Sequence, residues 1–494
     1  MAVNVDPNIV VIGCGVAGIA AAGRLVKAGF RNVRILEATA RSGGRIKSGR
    51  LGNTIVEIGA SYIHGPSEEN PIFCLARDYG LLHPEALTAE NQAMDIAECF
   101  PGVPNWFSSS GQRLSSEHMK PALEIFIELL DETSQNVNKE NTRWASVGHF
   151  MRSEIQQRTA ERWKDKDATT RALLRCAISA RLKEECCTNA AHTMDEIDLS
   201  GFEMYKDLCG LDCMIPGGYE GLIDSLMSEL PTDLVSFNRP VRCVHWNNTD
   251  KRETAVTVEC HDGEGIAADH VILTVPLGYL KKNHSTLFSP PLPAEKLLSI
   301  QSQAFGTCNK IFIEFDSPWW DTDTEVIYFV WEDEEDIVDQ VSDISKFWIR
   351  KMSFFTVVES SDSHVLCGWI AGLESEYMES VPEEELRSSI TQLIHRFTGN
   401  PRIVVRRILR TQWFHDPWTY GSYYHTTIGF SKKDMENMMA PLPMEGSQSQ
   451  PLQVLFAGEA THPHYYSTVH GALLTGWREA DRLISHYAPQ RGTA

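Results

Sequence analysis

The sequence predicts an α/β protein of two domains, and three observations predict it. At 494 residues the chain exceeds what one compact core organises. Its opening reads strand, glycine-rich turn, helix, strand. Further along, a long helical stretch gives way to a β-rich one from Val235 onward, so elements come in blocks as well as in alternation.

The apolar run Ile9 to Ile12 has the length of a strand and is far too short to cross a membrane. The glycines of VVIGCGVAGIAAAG come next, then a helix from about Ala17 to Lys27 and a strand from Val33 to Glu37. From about Glu117 to Lys183 strong helix formers dominate and breakers are few. VRCVHW, ETAVTVEC and DHVILTVPLG read as strands, with HDGEG as the turn between the second and third. Pro290 to Pro293 marks a boundary before the strand-like FGTCNKIFIEF, Phe305 to Phe315. The acidic WEDEED, Trp331 to Asp336, reads as a solvated loop or helix face. Pro441 to Pro451 reads as a linker or surface loop, after which QVLFAG is a strand and a closing helix starts near His470.

Gly13, Gly15 and Gly18 lie directly after a strand and directly before a helix. The first permits a tight turn, the second lets a pyrophosphate approach the backbone, and the third lets helix and strand pack closely. The first amides of the helix then face the phosphates. Glu37 ends the next strand, where its carboxylate can bind a ribose diol. The constellation predicts a dinucleotide site; the bland alternative is a turn and a strand-end carboxylate. Two further segments bear on which dinucleotide binds. ATARSGGRIKS sets Gly43, Gly44 and Arg45 just after Glu37, and EIGASYIHG adds Gly59 and Ala60. A nicotinamide dehydrogenase has no need of a second glycine and arginine cluster there, whereas a flavin, whose ring must lie deep in the chain, does.

One residue is out of character in FGTCNKIFIEF. Strand alternation puts Lys310, Phe312 and Glu314 on one face and Ile311, Ile313 and Phe315 on the other. Either the face is half exposed and Lys310 pairs with Glu314 or reaches solvent, or the ammonium points into a cavity where burial shifts its pKa.

Hydrophobic residues make up 42% of the chain and charged residues 22%, which is ordinary for a globular protein. Lys and Arg number 45 against 66 Asp and Glu, a net charge of -21. That balance argues against nucleic acid or an anionic membrane as partner and suits a cationic small molecule. The 12 cysteines show no repeating spacing and, with no secretory h-region at the N-terminus, read as free thiols in a reducing compartment. The sequons Asn247-Asn248-Thr249 and Asn283-His284-Ser285 then read as chance matches.

Taken together, LEATARSGGRI, GASYIHGPS, LDCMIPGGYEGL, VILTVPLGYLK, FGTCNKIFIEF, HVLCGWIAGLESE, LFAGEATH and YYSTVHGALLTGWREADRL resemble the flavin amine oxidases over nearly the whole chain. Within them the resemblance is to the vertebrate N1-acetylpolyamine oxidases and spermine oxidases. It implies a Rossmann-like FAD-binding domain plus a substrate domain of mixed β-sheet flanked by helices. The FAD-binding parts would be 1–85, 211–290 and 448–494, and the substrate-domain parts 86–210 and 291–447.

The resemblance further implies that Gly13, Gly15, Gly18, Glu37, Gly44, Arg45, Gly59, Ala60, Val241, Glu459, Thr468 and Val469 hold FAD. Glu459 would lie on the ribityl-phosphate part, and the amides of Thr468 and Val469, at the positive end of the final helix, beside the ring's pyrimidine oxygens. The position of the flavin-bonding cysteine of monoamine oxidases is Ser422, so the FAD is expected to be non-covalent.

For catalysis it implies that Lys310 holds a water against flavin N5. His64 would contact a substrate amine as a neutral imidazole close to its ordinary pKa. Glu185 would hold another ammonium, with its neighbour Glu184 the alternative. The two tyrosines of monoamine oxidases become Tyr423 and Thr468, a half-open cage that suits a secondary amine inside a long chain. The implied reaction is hydride transfer to N5, hydrolysis of the imine, and reoxidation by dioxygen to hydrogen peroxide. N1-acetylspermine and N1-acetylspermidine are the implied substrates, giving spermidine or putrescine and 3-acetamidopropanal. Spermine is the alternative substrate, a non-catalytic flavoprotein scaffold the alternative class, and a NAD-dependent dehydrogenase a third. No metal, nucleic acid or membrane is implied, and a monomer is expected. Peroxisomal relatives often end in a tripeptide of the S-K-L type, and Arg491-Gly492-Thr493-Ala494 is not one, so peroxisome and cytoplasm both stay open.

Overall fold

The computed structural model describes residues 6–93, 103–135, 144–247, 254–334, 343–358, 364–444, 447 and 449–491. A five-stranded sheet takes its strands, in spatial order, from Val454–Phe456, His270–Leu273, Ile9–Ile12, Val33–Leu36 and Val235–Ser236. Every pairing in it is parallel. A parallel sheet is covered on both faces, so its strands read as apolar runs instead of alternating ones. Ile9–Ile12 is the example: Ile9 and Val11 enter one core, Val10 and Ile12 another.

The first helix, Val16–Lys27, packs along the closing helix, Val469–Arg491. Gly476 makes the approach possible, since a Cβ there would lie 2.1 Å from the Ala17 carbonyl oxygen. Of the strands read from Val241 onward, VRCVHW and ETAVTVEC give Val241–His245 and Val256–Cys260 of a four-stranded sheet completed by Gly265–Ala268 and Phe288–Ser289, whereas DHVILTVPLG gives His270–Leu273 of the parallel sheet.

A seven-stranded sheet holds Cys308–Phe315 between Val405–Arg410 and Val365–Ala371, and continues through Phe354–Val357, Thr324–Val330, Val103–Ser108 and Arg113–Leu114. The alternation predicted for the lysine strand is present. Ile311, Ile313 and Phe315 pack on Ile390, Ile394 and Phe397 of the helix Glu383–Thr398. Phe312 faces the other way, onto Leu51 and Val56. The helical stretch resolves into Ser116–Gln135, Val147–Arg162 and Ala168–Thr188.

The acidic WEDEED is not simply a solvated face. Trp331 is buried, and Glu334 accepts from Lys183 Nζ and, at 3.0 Å, from Arg350 Nε. The charge run meets cations from two other segments, which composition does not reveal; Glu335 and Asp336 lie outside the described residues. The described cysteines are all free, and Cys99 lies outside them. Asn283 is helical and donates to the Tyr279 carbonyl at 3.0 Å, while Asn248, Thr249 and 492–494 are outside the described residues. No described helix is long and apolar enough to cross a membrane.

Candidate active site

One continuous cavity of about 2570 Å³ runs from the Gly13–Gly15 turn and Glu37 to His64, Glu185, Lys310 and Tyr423. Both large sheets contribute to its wall.

At one end the backbone forms a cradle. Gly13 has φ +106°, and a Cβ on Gly18 would lie 2.0 Å from the Gly13 carbonyl oxygen, so helix and turn can close only over glycine. Gly15 N-caps the helix, and Gly43 bridges to it in parallel. Gly44 approaches to where its Cβ would be 3.4 Å from the Gly15 Cα. Arg41, which sequence reasoning passed over, ties this loop together by donating to the carbonyls of Ser42 at 2.9 Å, Ile46 at 3.1 Å and Gly44. Glu37, one residue past its strand, is buried and oriented: Oε2 accepts from the Cys14 amide at 2.8 Å, and Oε1 from the Thr39 amide at 2.9 Å and hydroxyl at 2.7 Å.

Deeper in, segments remote in sequence are tied together. Arg45 donates to Glu459 Oε1 at 2.8 Å and to the Ser422 carbonyl at 2.9 Å, and Glu459 Oε2 accepts from the Ser467 amide at 2.9 Å. The Thr468 hydroxyl accepts from the Gly471 amide at 3.0 Å, closing the first turn of the final helix, so that Thr468, Val469 and His470 face the cavity. Ala60 donates its amide to the Arg45 carbonyl at 3.1 Å, and a Cβ on Gly59 would lie 1.8 Å from that same oxygen. Val241 is a buried strand residue on the cavity wall. A glycine-lined turn before a helix, a fixed carboxylate, an arginine and a second helix N-terminus on one cavity fit a long, diphosphate-bearing cofactor.

Lys310 is 5% exposed and pairs with neither Glu314 nor solvent. Its Nζ donates to the Glu57 carbonyl at 2.8 Å, the Gly59 carbonyl at 2.6 Å and Ser61 Oγ at 2.6 Å, and lies 4.7 Å from the centre of the Trp369 ring. Burial pulls its pKa down, against the opposing pull of Cys367, Glu57 and Cys308. As an ammonium it has no N–H left for a water, unlike the lysine of the sequence-based expectation. Glu314 instead faces Arg407, its register partner on the neighbouring strand, at 3.4 Å.

The Ser422 hydroxyl accepts from the Cys308 amide at 2.9 Å and donates to the Cys308 carbonyl at 2.8 Å, pinning two strands. The Tyr423 hydroxyl donates to the Cys187 carbonyl and that of Thr468 to the Tyr465 carbonyl at 2.7 Å. Both cage positions are therefore held by backbone.

His64 is not the lone neutral histidine expected. Its Nδ1 lies 2.5 Å from Asp212 Oδ2, and Asp212 Oδ1 accepts from the Gly65 amide at 3.1 Å. Burial pulls the imidazole pKa down, but the charge and hydrogen bond of Asp212, with Asp207 behind it, outweigh this and hold it above the ordinary value. Asp212 belongs to LDCMIPGGYEGL, yet nothing in that motif says that it meets residue 64. Glu184 and Glu185 separate cleanly. Glu184 pairs with Arg181 and accepts from the Tyr328 hydroxyl at 2.9 Å. The Glu185 carboxyl has no hydrogen-bond partner among the described residues, and burial, opposed by Arg181 and aided by Glu184 and Asp207, raises it to about 7. No cluster able to hold a metal ion exists among the described residues.

Residues 16–484 match the family "Flavin containing amine oxidoreductase". The chain is 44% identical to the human "Peroxisomal N(1)-acetyl-spermine/spermidine oxidase", covering 98% of this chain and 96% of that one. The Bos taurus protein of the same name is also 44% identical, with the same coverage. Among solved structures, a putrescine oxidase double mutant redesigned for cofactor binding superposes with a TM-score of 0.68 at 19% identity, over 97% of this chain and 99% of the other.

Proposed function

The chain belongs to the flavin-containing amine oxidoreductases, and from that premise we propose that it is an FAD-dependent oxidase of N1-acetylated polyamines with its FAD held non-covalently. N1-acetylspermine and N1-acetylspermidine are its substrates, dioxygen is its acceptor, and spermidine or putrescine, 3-acetamidopropanal and hydrogen peroxide are its products. The names of the human and bovine relatives support the substrate class and a peroxisomal location. The observation that carries the reading is the single cavity, with a glycine cradle at one end and a buried lysine and an unpartnered carboxyl at the other.

The turn at Gly13, Gly15 and Gly44 would hold the pyrophosphate, Glu37 a ribose, and the amides of Thr468 and Val469 the acceptor oxygens of the ring. Val241 would lie against the adenosine half, and Ser422, with no thiol and with its hydroxyl committed to Cys308, makes no covalent link. A flavin held there would supply the redox chemistry, accepting the two electrons of amine oxidation with dioxygen as the final acceptor. Lys310 sets a positive charge on the wall where negative charge develops. Glu185 receives a substrate ammonium, and Tyr423 and Thr468 shape the space around the secondary amine. The parts 1–85, 211–290 and 448–494 hold the cofactor, and 86–210 with 291–447 carry the substrate side.

Anaerobic mixing with N1-acetylspermine, with spermine in parallel, tests this. Faster bleaching of the flavin by N1-acetylspermine supports it. Faster bleaching by spermine assigns a spermine oxidase, and no bleaching by either overturns the catalytic reading.

A further inference from the structure

A protonated amine cannot release hydride, so a polyamine bound as its cation must lose a proton inside the cavity before it reacts. We propose that Asp212 is a positioning residue that directs His64 Nε2 into the cavity as the base that takes this proton. The inference rests on the polyamine oxidase reading.

The geometry is that of a carboxylate–imidazole dyad. Asp212 accepts from Nδ1 of His64 at 2.5 Å, which fixes the proton on that nitrogen and turns Nε2 toward the cavity. Asp212 is held in turn: its other oxygen accepts from the Gly65 amide at 3.1 Å, and the Asn70 amide group clamps the His64 carbonyl at 2.6 Å. The His64 side chain is 48% exposed, and that exposure opens into the cavity. It sits on the segment Gly59–His64 that also supplies two of the acceptors of Lys310, so proton acceptor and buried cation share one backbone support.

The charged and titratable groups around His64 agree with a base. Asp207 lies on the same segment as Asp212 and adds to the field that favours its protonated form. Lys206 and Tyr205 precede it, both on the cavity wall. Tyr62, on the histidine's own segment, lies 6.3 Å away ring to ring. From the closing helix comes His470, 3% exposed, with Nε2 lacking a partner. Burial beside His64 and His462 pushes it to about 3, so it stays neutral and leaves the charge of Asp212 to His64. Asp212 correspondingly falls below the usual carboxylate range: burial alone would raise it, and His64 and the Gly65 amide overcome that.

The step is a proton transfer only. The N–H bond of the substrate ammonium breaks, its electron pair stays on nitrogen, and the proton bonds to His64 Nε2. The imidazolium formed is compensated by Asp212.

The test uses the flavin-loaded enzyme with ¹³C-labelled histidine. Asp212→Asn keeps a carbonyl oxygen for the Gly65 amide, and the His64 pKa read by NMR is expected to fall by about one pH unit or more. The acid limb of the anaerobic flavin-reduction rate should move down with it. His64→Gln should move that limb up, toward the pKa of the free amine, and this variant keeps the test valid if Asp212→Asn does not fold. An unchanged His64 titration, or a limb that ignores both variants while N1-acetylspermine still reduces the flavin, overturns the dyad and leaves the oxidase reading standing. A wild type that no acetylated polyamine reduces overturns the oxidase reading and the proton-transfer role together, and the NMR titration then still reports whether Asp212 sets the charge of His64.

Discussion

Lys310 Nζ donates to the carbonyl oxygen of Gly59 at 2.6 Å, and Gly59 itself can stand there only as glycine, because a Cβ would lie 1.8 Å from the Arg45 carbonyl oxygen. One backbone crossing thus joins the lysine strand to the GGR loop.

Gly59→Ala should therefore remove both. The clash is with backbone, which cannot rotate away, and overpacking of this kind costs about 1–3 kcal/mol or more. The purified variant should carry little flavin by its visible absorbance relative to protein. Gly217→Ala, with nothing within 4 Å of an added Cβ, should retain it. Equal flavin content in the two variants would contradict the cradle.

Lys310→Met keeps length and apolar bulk but removes the charge and three donors. Reoxidation of the reduced flavin by dioxygen should slow about 100-fold, the scale of losing one electrostatic stabiliser. Stopped-flow mixing of the reduced variant with oxygenated buffer measures it, and a rate within a factor of about two of wild type would exclude the proposed role.

Glu185 gives a pH dependence. With its carboxyl raised to about 7 by burial, it is mostly neutral at pH 6 and mostly charged at pH 8, so polyamine binding should tighten as pH rises through 7. Glu185→Gln should weaken binding about tenfold at pH 8 and much less at pH 6, flattening the dependence. Anaerobic flavin titrations at the two pH values read this directly. The same loss at both would mean that Glu185 acts by shape alone.

Ser422 predicts the fate of the cofactor on denaturation. Acid precipitation should leave all flavin in the supernatant, with none in the pellet. Flavin fluorescence on the denatured polypeptide band would refute a non-covalent site.

Where the chemistry is local, the sequence shows it. The turn at Gly13 and the first helical turn, at Gly18, interact over a few residues, so their spacing alone predicts the packing that the structure contains. The face of Lys310 was readable for the same reason, since alternation is local; its acceptors at Glu57, Gly59 and Ser61 were not, because another segment brings them in. Glu184 and Glu185 are equivalent as letters, but adjacent helix positions point about 100° apart, and only the fold says which direction meets Arg181. Asp212 beside His64 and Glu334 beside Lys183 are likewise products of long-range approach, which no spacing rule encodes.

The five-stranded sheet has a consequence during synthesis. Its strands come from three stretches of chain, and one edge strand, Val454–Phe456, comes just before the segment that carries Glu459 and the closing helix. A ribosome must therefore translate as far as the closing helix before the cofactor cradle is complete. Until then His270–Leu273 presents an unpaired edge and the first helix an uncovered apolar flank, the surfaces that a nascent-chain chaperone has to shield.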